Sequence, residues 1–193
     1  MDLYQHVRVV LATLVGFSLT RLVGGVAQFT QHGRKRVYWV HLLWVLYMIL
    51  YTIAFWWWEF QLETVPQWTF PLYAFLVLYG ILVYLLCALL FPNGLEEYEG
   101  FRGYFYSRRN WFFGVMAAMF ITDLFDTSMK GGAHFKALGL EYDLRIAAYL
   151  VCCLIAILVK SEGFHAAFAV IATLYEIVFY LHQFFTFGPT AAG

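Results

Sequence analysis

The sequence reads as an all-α polytopic membrane protein, a single domain built as a bundle of six transmembrane helices. Three observations lead there. Hydrophobic residues make up 63% and charged residues 12% of the 193 positions, against roughly 45–50% and 25% in a soluble domain. The apolar residues gather into six stretches, each near the roughly 20 residues needed to cross a bilayer. Short polar, glycine or proline segments separate the stretches. A soluble globule of this size has too little interior to hide so much apolar surface, so the excess is expected to face lipid.

The first span is placed at about 7–29. Its run ends in Gly25-Val26-Ala27, a small-x-small pattern found at signal-peptide cleavage sites. Arg21 interrupts the run, so the stretch is taken as a retained helix. A basic turn with Arg34, Lys35 and Arg36 leads to the second span, 37–58, which closes on Trp56-Trp57-Trp58. An acidic loop ending in Pro66 precedes the third span, 70–91. Pro71 falls in its first turn, where a missing N–H costs nothing, and Pro92-Asn93-Gly94 stops it.

The segment 92–109 mixes acids, arginines and aromatics. Part of it is expected as a separate helix lying at the lipid headgroups. The fourth span is 110–129, ended by Gly131-Gly132; the fifth is 142–159; Ser161-Glu162-Gly163 turns into the sixth, 164–187.

Lys and Arg in the connecting segments set the orientation. With both termini outside, the inner side carries Arg34, Lys35, Arg36, Arg102, Arg108, Arg109 and Lys160; the outer side carries Arg8, Lys130, Lys136 and Arg145. The excess favours N-out and C-out, in a cell inner or plasma membrane. Trp39 and Trp111 fall at inner ends, and Trp56, Trp57, Trp58 and Trp68 at outer ends, as an interfacial belt would.

Formal net charge is zero, and no basic run is long enough for a nucleic-acid partner. The lipid bilayer is the expected partner, together with a second copy of the chain or another membrane protein. Cys87, Cys152 and Cys153 lie inside apolar stretches without metal-ligand spacing and read as small buried side chains. GxSxG, HExxH, P-loop and Rossmann patterns do not occur, which argues against an enzyme. No cofactor is predicted.

The ionisable residues inside the spans carry the functional reading, because each is costly there without a partner or water. A helix turns about 100° per residue. His165, Ala169, Ala172, Thr173, Glu176, Tyr180 and Gln183 therefore share one side of the sixth span. In the first, Ser18, Arg21, Gly25 and Gln28 share a side, with Ala12, Val15, Leu19, Val23 and Val26 opposite. Asp123 and Asp126 share a face of the fourth, with Lys130 four residues beyond Asp126, a favourable spacing for a pair. Asp123 and Glu176 each lie roughly 20 Å from the inner end at 1.5 Å per residue. If neighbours, two such carboxylates compete for ionisation. Arg145 and Arg8 are candidate counter-ions for Asp126.

Three readings follow. The leading one is a proton- or cation-conducting channel or transporter, with Asp123, Asp126, Glu176, Arg21, Thr173, Tyr180 and Gln183 along its path. The second is a non-catalytic subunit or scaffold of a larger membrane complex, its polar groups serving as packing seams. The third is a b-type haem redox subunit, with His41, His165, His6 and His182 as weak ligand candidates. The stretch Gly16-Phe17-Ser18-Leu19-Thr20-Arg21 resembles the first helix of lysosomal-type six-helix potassium channels. That family's aspartate is absent here, and the resemblance transfers no site.

The orientation makes a direct prediction. A Lys35→Cys variant is expected to react with a membrane-impermeant maleimide only after the cells are opened. Labelling on intact cells would reverse the assignment.

Overall fold

A computed structural model describes residues 3–31, 37–65, 67–92, 94, 97–129 and 132–186. Among them six α-helices and one short 3-10 turn form, and no strand. The helices are α1 (Leu3–Gln31), α2 (Trp39–Trp58), α3 (Phe70–Leu90), α4 (Phe101–Met129), α5 (Gly132–Leu158) and α6 (Glu162–Thr186). Five of them, all but α5, are long and apolar enough to cross a membrane.

The α5 segment departs from the expected fifth span in two ways. It is helical from Gly132, but Gly139 breaks it with φ 68° and ψ −173°, a conformation open essentially only to glycine. Beyond the break, Glu141, Asp143 and Arg145 occupy the first turns, so three charges dilute its apolar character. The expected headgroup helix is also absent as a separate element. From Phe101 onward the chain runs into α4 without interruption: no proline ends it before Met129, and burial of Phe101, Tyr104 and Phe105 holds its first turns against the bundle. Acidic residues 59–64, expected as loop, wind into the 3-10 turn Glu59–Thr64.

Local signals set several other ends. Thr69 caps α3, its hydroxyl accepting from the Leu72 N–H at 3.4 Å, with Pro71 in the first turn. The Ser161 hydroxyl accepts from the Phe164 N–H at the start of α6. Both use a side-chain oxygen to satisfy an amide that has no helical partner.

α2 is the hub, touching α1, α3, α4 and α6. α1 packs chiefly on α3, α4 on α5 and α3, and α6 on α2, while α5 and α6 touch only lightly. At the centre Trp44 is fully buried, edge-on to Tyr47, Phe112, Phe113 and Phe168 at 5.1–5.5 Å. α6 buries His165, Ala169, Ala172, Thr173, Glu176 and Tyr180 and exposes Leu174, Val178 and Leu181, the division its periodicity suggests. α1 buries Val7, Leu11, Val15, Ser18, Leu22 and Gly25. Val15, expected on the opposite side, belongs to this seam because steps of three and four carry it round with Leu11 and Ser18.

Buried helix C-termini at one end of the bundle are closed by side chains from other helices. Leu89, Leu90 and Phe91 at the end of α3 offer carbonyls to the Tyr104 hydroxyl (2.8 Å), His41 Nε2 (2.6 Å) and an Arg21 terminal nitrogen (2.5 Å). Arg109 donates to the carbonyls of Ala156 (3.0 Å) and Ile157 (2.7 Å) at the end of α5, and His165 Nε2 donates to Val159 (3.0 Å). Cationic and N–H donors suit these sites, where unpaired carbonyls and the helix dipole gather negative potential.

Gly25 of α1 lies against the ring of Phe91, where a Cβ would collide, whereas Gly24 faces open space. Gly25→Leu is therefore expected to destabilise the protein by about 1–3 kcal/mol, the usual cost of overpacking, and Gly24→Leu to leave it near wild type. Thermal unfolding of the two variants in detergent tests this; equal behaviour would place the α1–α3 contact elsewhere.

Candidate functional site: a buried carboxylate–guanidinium cluster

The end of the bundle opposite the capped carbonyls gathers polar side chains from α2, α3, α4, α5 and α6. Arg145 of α5 stands at their centre, with its side chain 4% exposed. One terminal nitrogen lies 2.7 Å from Glu176 Oε1, and the other 4.0 Å from Asp123 Oδ2. Glu176 is fully buried and Asp123 partly so, its side chain 19% exposed. One guanidinium thus serves two carboxylates carried by different helices.

Tyrosines complete the cluster. Tyr47 donates to Glu176 Oε1 at 3.1 Å. Tyr79 and Tyr142 donate to the two oxygens of Asp123, at 2.7 and 2.9 Å. A phenol has one proton to give. Tyr51, 2.7 Å from the Tyr79 hydroxyl, must therefore donate to it, and Thr127, 2.9 Å from Tyr142, must do the same there. Two directed chains of hydroxyls converge on Asp123. Tyr149 and Tyr180 stand beside the Glu176 carboxylate. The guanidinium also lies over the ring of Phe179, 4.7 Å from its centroid, with Phe120 and Tyr149 at 5.5 and 5.6 Å. Rings of this kind stabilise a desolvated cation.

A cavity of about 50 Å³ opens beside these groups, with Asp123, Asp126, Glu59, Tyr79, Arg145 and Tyr180 in its wall. A water needs roughly 10–15 Å³ of such space and two or more polar partners, so the cavity has room for a few. Asp123 is the carboxylate that meets both the cavity and Arg145.

The helices place these groups by simple spacing. Tyr47 and Tyr51 are four apart on α2. Asp123 and Thr127 are four apart on α4. Tyr142, Arg145 and Tyr149 step by three and four along α5. Such steps keep side chains on one face.

Sequence-derived candidates distribute unevenly around this centre. Asp123, Glu176 and Tyr180 belong to it, and Asp126 is buried in the cavity wall. Arg145, expected as a counter-ion for Asp126, reaches Glu176 and Asp123. Thr173 is buried nearby on α6 and donates to the Leu43 carbonyl at 3.4 Å. Arg21 sits at the other end of the bundle, on the end of α3. Arg8 is exposed, over the rings of Tyr4 and Trp56. Lys130 and the side chain of Gln183 lie outside the described residues.

The histidines are dispersed. A carbonyl only accepts, so His41 and His165 carry their proton on Nε2 and spend it on Leu90 and Val159. His41 packs on Phe91 and Phe101, and His165 on Phe105, Tyr106, Phe113 and Phe164. His6 stacks on Tyr73, and His182 is exposed. Among the described residues no three His, Cys, Asp or Glu side chains gather as metal ligands.

Sequence reasoning picked out the acids of the centre but not its arrangement around Arg145. Arg145 is expected from the sequence only as a counter-ion for Asp126, and Tyr47, Tyr51, Tyr79, Tyr142 and Tyr149 are not singled out by it. The recurrence Tyr142-x2-Arg145-x3-Tyr149 was the available signal: a cation flanked on its own face by two hydroxyls. No protein-family model, curated protein or solved structure matches the chain.

Removing one partner of a buried pair strands the other. Arg145→Met is expected to cost about 3–5 kcal/mol, and the double variant Arg145→Met/Glu176→Met to recover much of that loss. Chemical unfolding in micelles measures both; a double variant no better than the single would show that Arg145 acts mainly through other contacts.

Proposed function

We propose that this chain is an integral membrane protein whose six helices cross the bilayer with both termini outside, and that it moves protons through or in step with its Asp123–Arg145–Glu176 cluster. The observation that carries the reading is two carboxylates on one guanidinium. With both ionised the trio has a net charge of −1, and one added proton neutralises it. The cluster thus has capacity for a single exchangeable proton inside a region where charge is costly. Glu176 Oε2 is buried without a hydrogen-bond partner. Hydroxyl chains through Tyr51–Tyr79 and Thr127–Tyr142 end on Asp123, beside a cavity with space for water.

A proton suits this site better than a metal cation. The guanidinium is fixed among its carboxylates and rings, and its charge opposes the passage of another cation. Proton exchange needs only short hydrogen bonds and small movements. The second reading, a packing clamp within a non-catalytic subunit, draws its support from the complete burial of Glu176. A buried pair of this kind can specify helix arrangement without any transport role.

Proteoliposomes with a pH dye inside and an imposed membrane potential separate the two readings. Wild type is expected to acidify or alkalinise the lumen faster than empty liposomes do. Glu176→Gln and Asp123→Asn are each expected to lose most of that flux while eluting as folded protein, and Arg102→Ala at the surface pair with Glu162 to retain it. Wild-type flux equal to empty liposomes would refute proton movement and favour the clamp.

A further inference from the structure

The polar cavity extends from the cluster toward one end of the bundle only. We propose that the Asp123–Arg145–Glu176 cluster exchanges its proton solely with the side that carries the end of α2, past Asp126 and Glu59, and that the aromatic layer around Trp44 closes it from the opposite side. The inference rests on the proton reading above and adds the direction of access.

The course of each helix shows the one-sidedness. α2, α4 and α6 run the same way: Trp44, Phe113 and Phe168 meet in one layer, and Tyr51, Asp123 and Glu176 stand farther along the same helices. α5 runs back, from Tyr142 beside Asp123 to Ala156 on Arg109. On α2 the cavity wall ends at Glu59, on α4 at Thr127, on α5 at Leu138 and on α6 at Tyr180. Each of these lies beyond the cluster residue of its own helix, on the side away from Trp44. Among the described residues, no part of the wall lies on the Trp44 side.

Acids mark the open side. The Asp123 side chain is 19% exposed, whereas that of Glu176 is 0%. Asp126 follows one turn along α4, and Glu59 stands roughly 12 Å beyond Tyr51 along α2 at 1.5 Å per residue; both are in the cavity wall. Carboxylates spaced in this way offer a proton successive acceptors. The other titratable groups around the trio are phenols, Tyr47 and Tyr51 from α2, Tyr79 from α3, Tyr142 and Tyr149 from α5 and Tyr180 from α6. Phenols ordinarily stay neutral at neutral pH. A hydronium in the cavity gives its proton to the Asp123 carboxylate and remains as water, taking the trio from −1 to neutral. Release reverses the step.

The opposite side lacks such a ladder among the described residues. Hydroxyls there are spent on backbone: Tyr149 donates to the Ala172 carbonyl at 3.3 Å and Thr173 to that of Leu43 at 3.4 Å. A carbonyl has no proton to pass on. Trp44, Met48, Phe113 and Met116 are fully buried, and Phe113 stacks on Phe168 at 5.7 Å. His41 and His165 lie past this layer, roughly 9 Å from Tyr47 along α2 and 16 Å from Glu176 along α6 at 1.5 Å per residue. Their Nε2 protons go to carbonyls. A proton crosses to that side only if the layer rearranges.

The test uses the full chain as Lys35→Cys in sealed proteoliposomes at low protein density, sorted by capture on a thiol-reactive resin. Lys35 precedes α2, so captured vesicles turn the side opposite Glu59 to the bath. The lumen is strongly buffered and the bath is acidified. Infrared difference spectra follow the protonated-carboxyl C=O stretch that depends on Asp123 and Glu176, identified by its loss in Asp123→Asn and Glu176→Gln. Uncaptured vesicles are expected to give this band at once, and captured vesicles only after a protonophore equilibrates the lumen. Leu138→Trp, which fills the cavity, is expected to slow the uncaptured response several-fold, and Leu78→Trp, exposed on α3, to leave it unchanged. A prompt band from captured vesicles would overturn the one-sided access, and an unslowed Leu138→Trp would overturn the route through the cavity. Absence of the band in both populations, even with protonophore, would refute the proton reading itself.

Discussion

The arrangement depends on how one buried guanidinium is satisfied. Arg145 brings a full positive charge into a region of rings and aliphatic side chains, and such a charge persists only where opposite charge and hydrogen-bond acceptors reach it. Glu176 provides the close contact and Asp123 the longer one. Because these acids belong to α6 and α4, the demand of a single side chain ties three helices together. Tyr47 and Tyr79 bring in α2 and α3 through the same acids. The cluster is therefore a structural knot first, and any proton chemistry is superimposed on it.

The opposite end solves a related problem by other means. Buried helix C-termini expose carbonyls with no intrahelical donor. Arg21, His41, Tyr104, Arg109 and His165 supply donors from neighbouring helices. Arg21 and His41, which composition alone marks as conspicuous, are accounted for by this role. One end mainly closes buried backbone carbonyls, and the other assembles buried side-chain charge. Between them lies the aromatic centre around Trp44, where packing supplies the cohesion.

The polar cavity and the α5–α6 groove meet at Arg145. The light contact between α5 and α6 leaves a groove whose lining includes the residue on which the cluster turns.

Six helices, their boundaries to within a few residues at most ends and the buried side of α6 were legible in the sequence, since all follow from local apolar length, periodicity and capping residues. The continuity of α4 and the break at Gly139 were not. The first depends on packing that keeps 101–109 helical, the second on a backbone angle no composition reveals. Least legible was the centre. Arg145, its acids and its tyrosines are brought together from five helices, and which helix neighbours which is decided by the summed fit of side chains far apart in the chain. The sequence by itself determined that long apolar helices and ionisable side chains inside them must coexist. Only the tertiary structure decided which charge answers which, because that choice depends on distances of a few ångströms between separate helices.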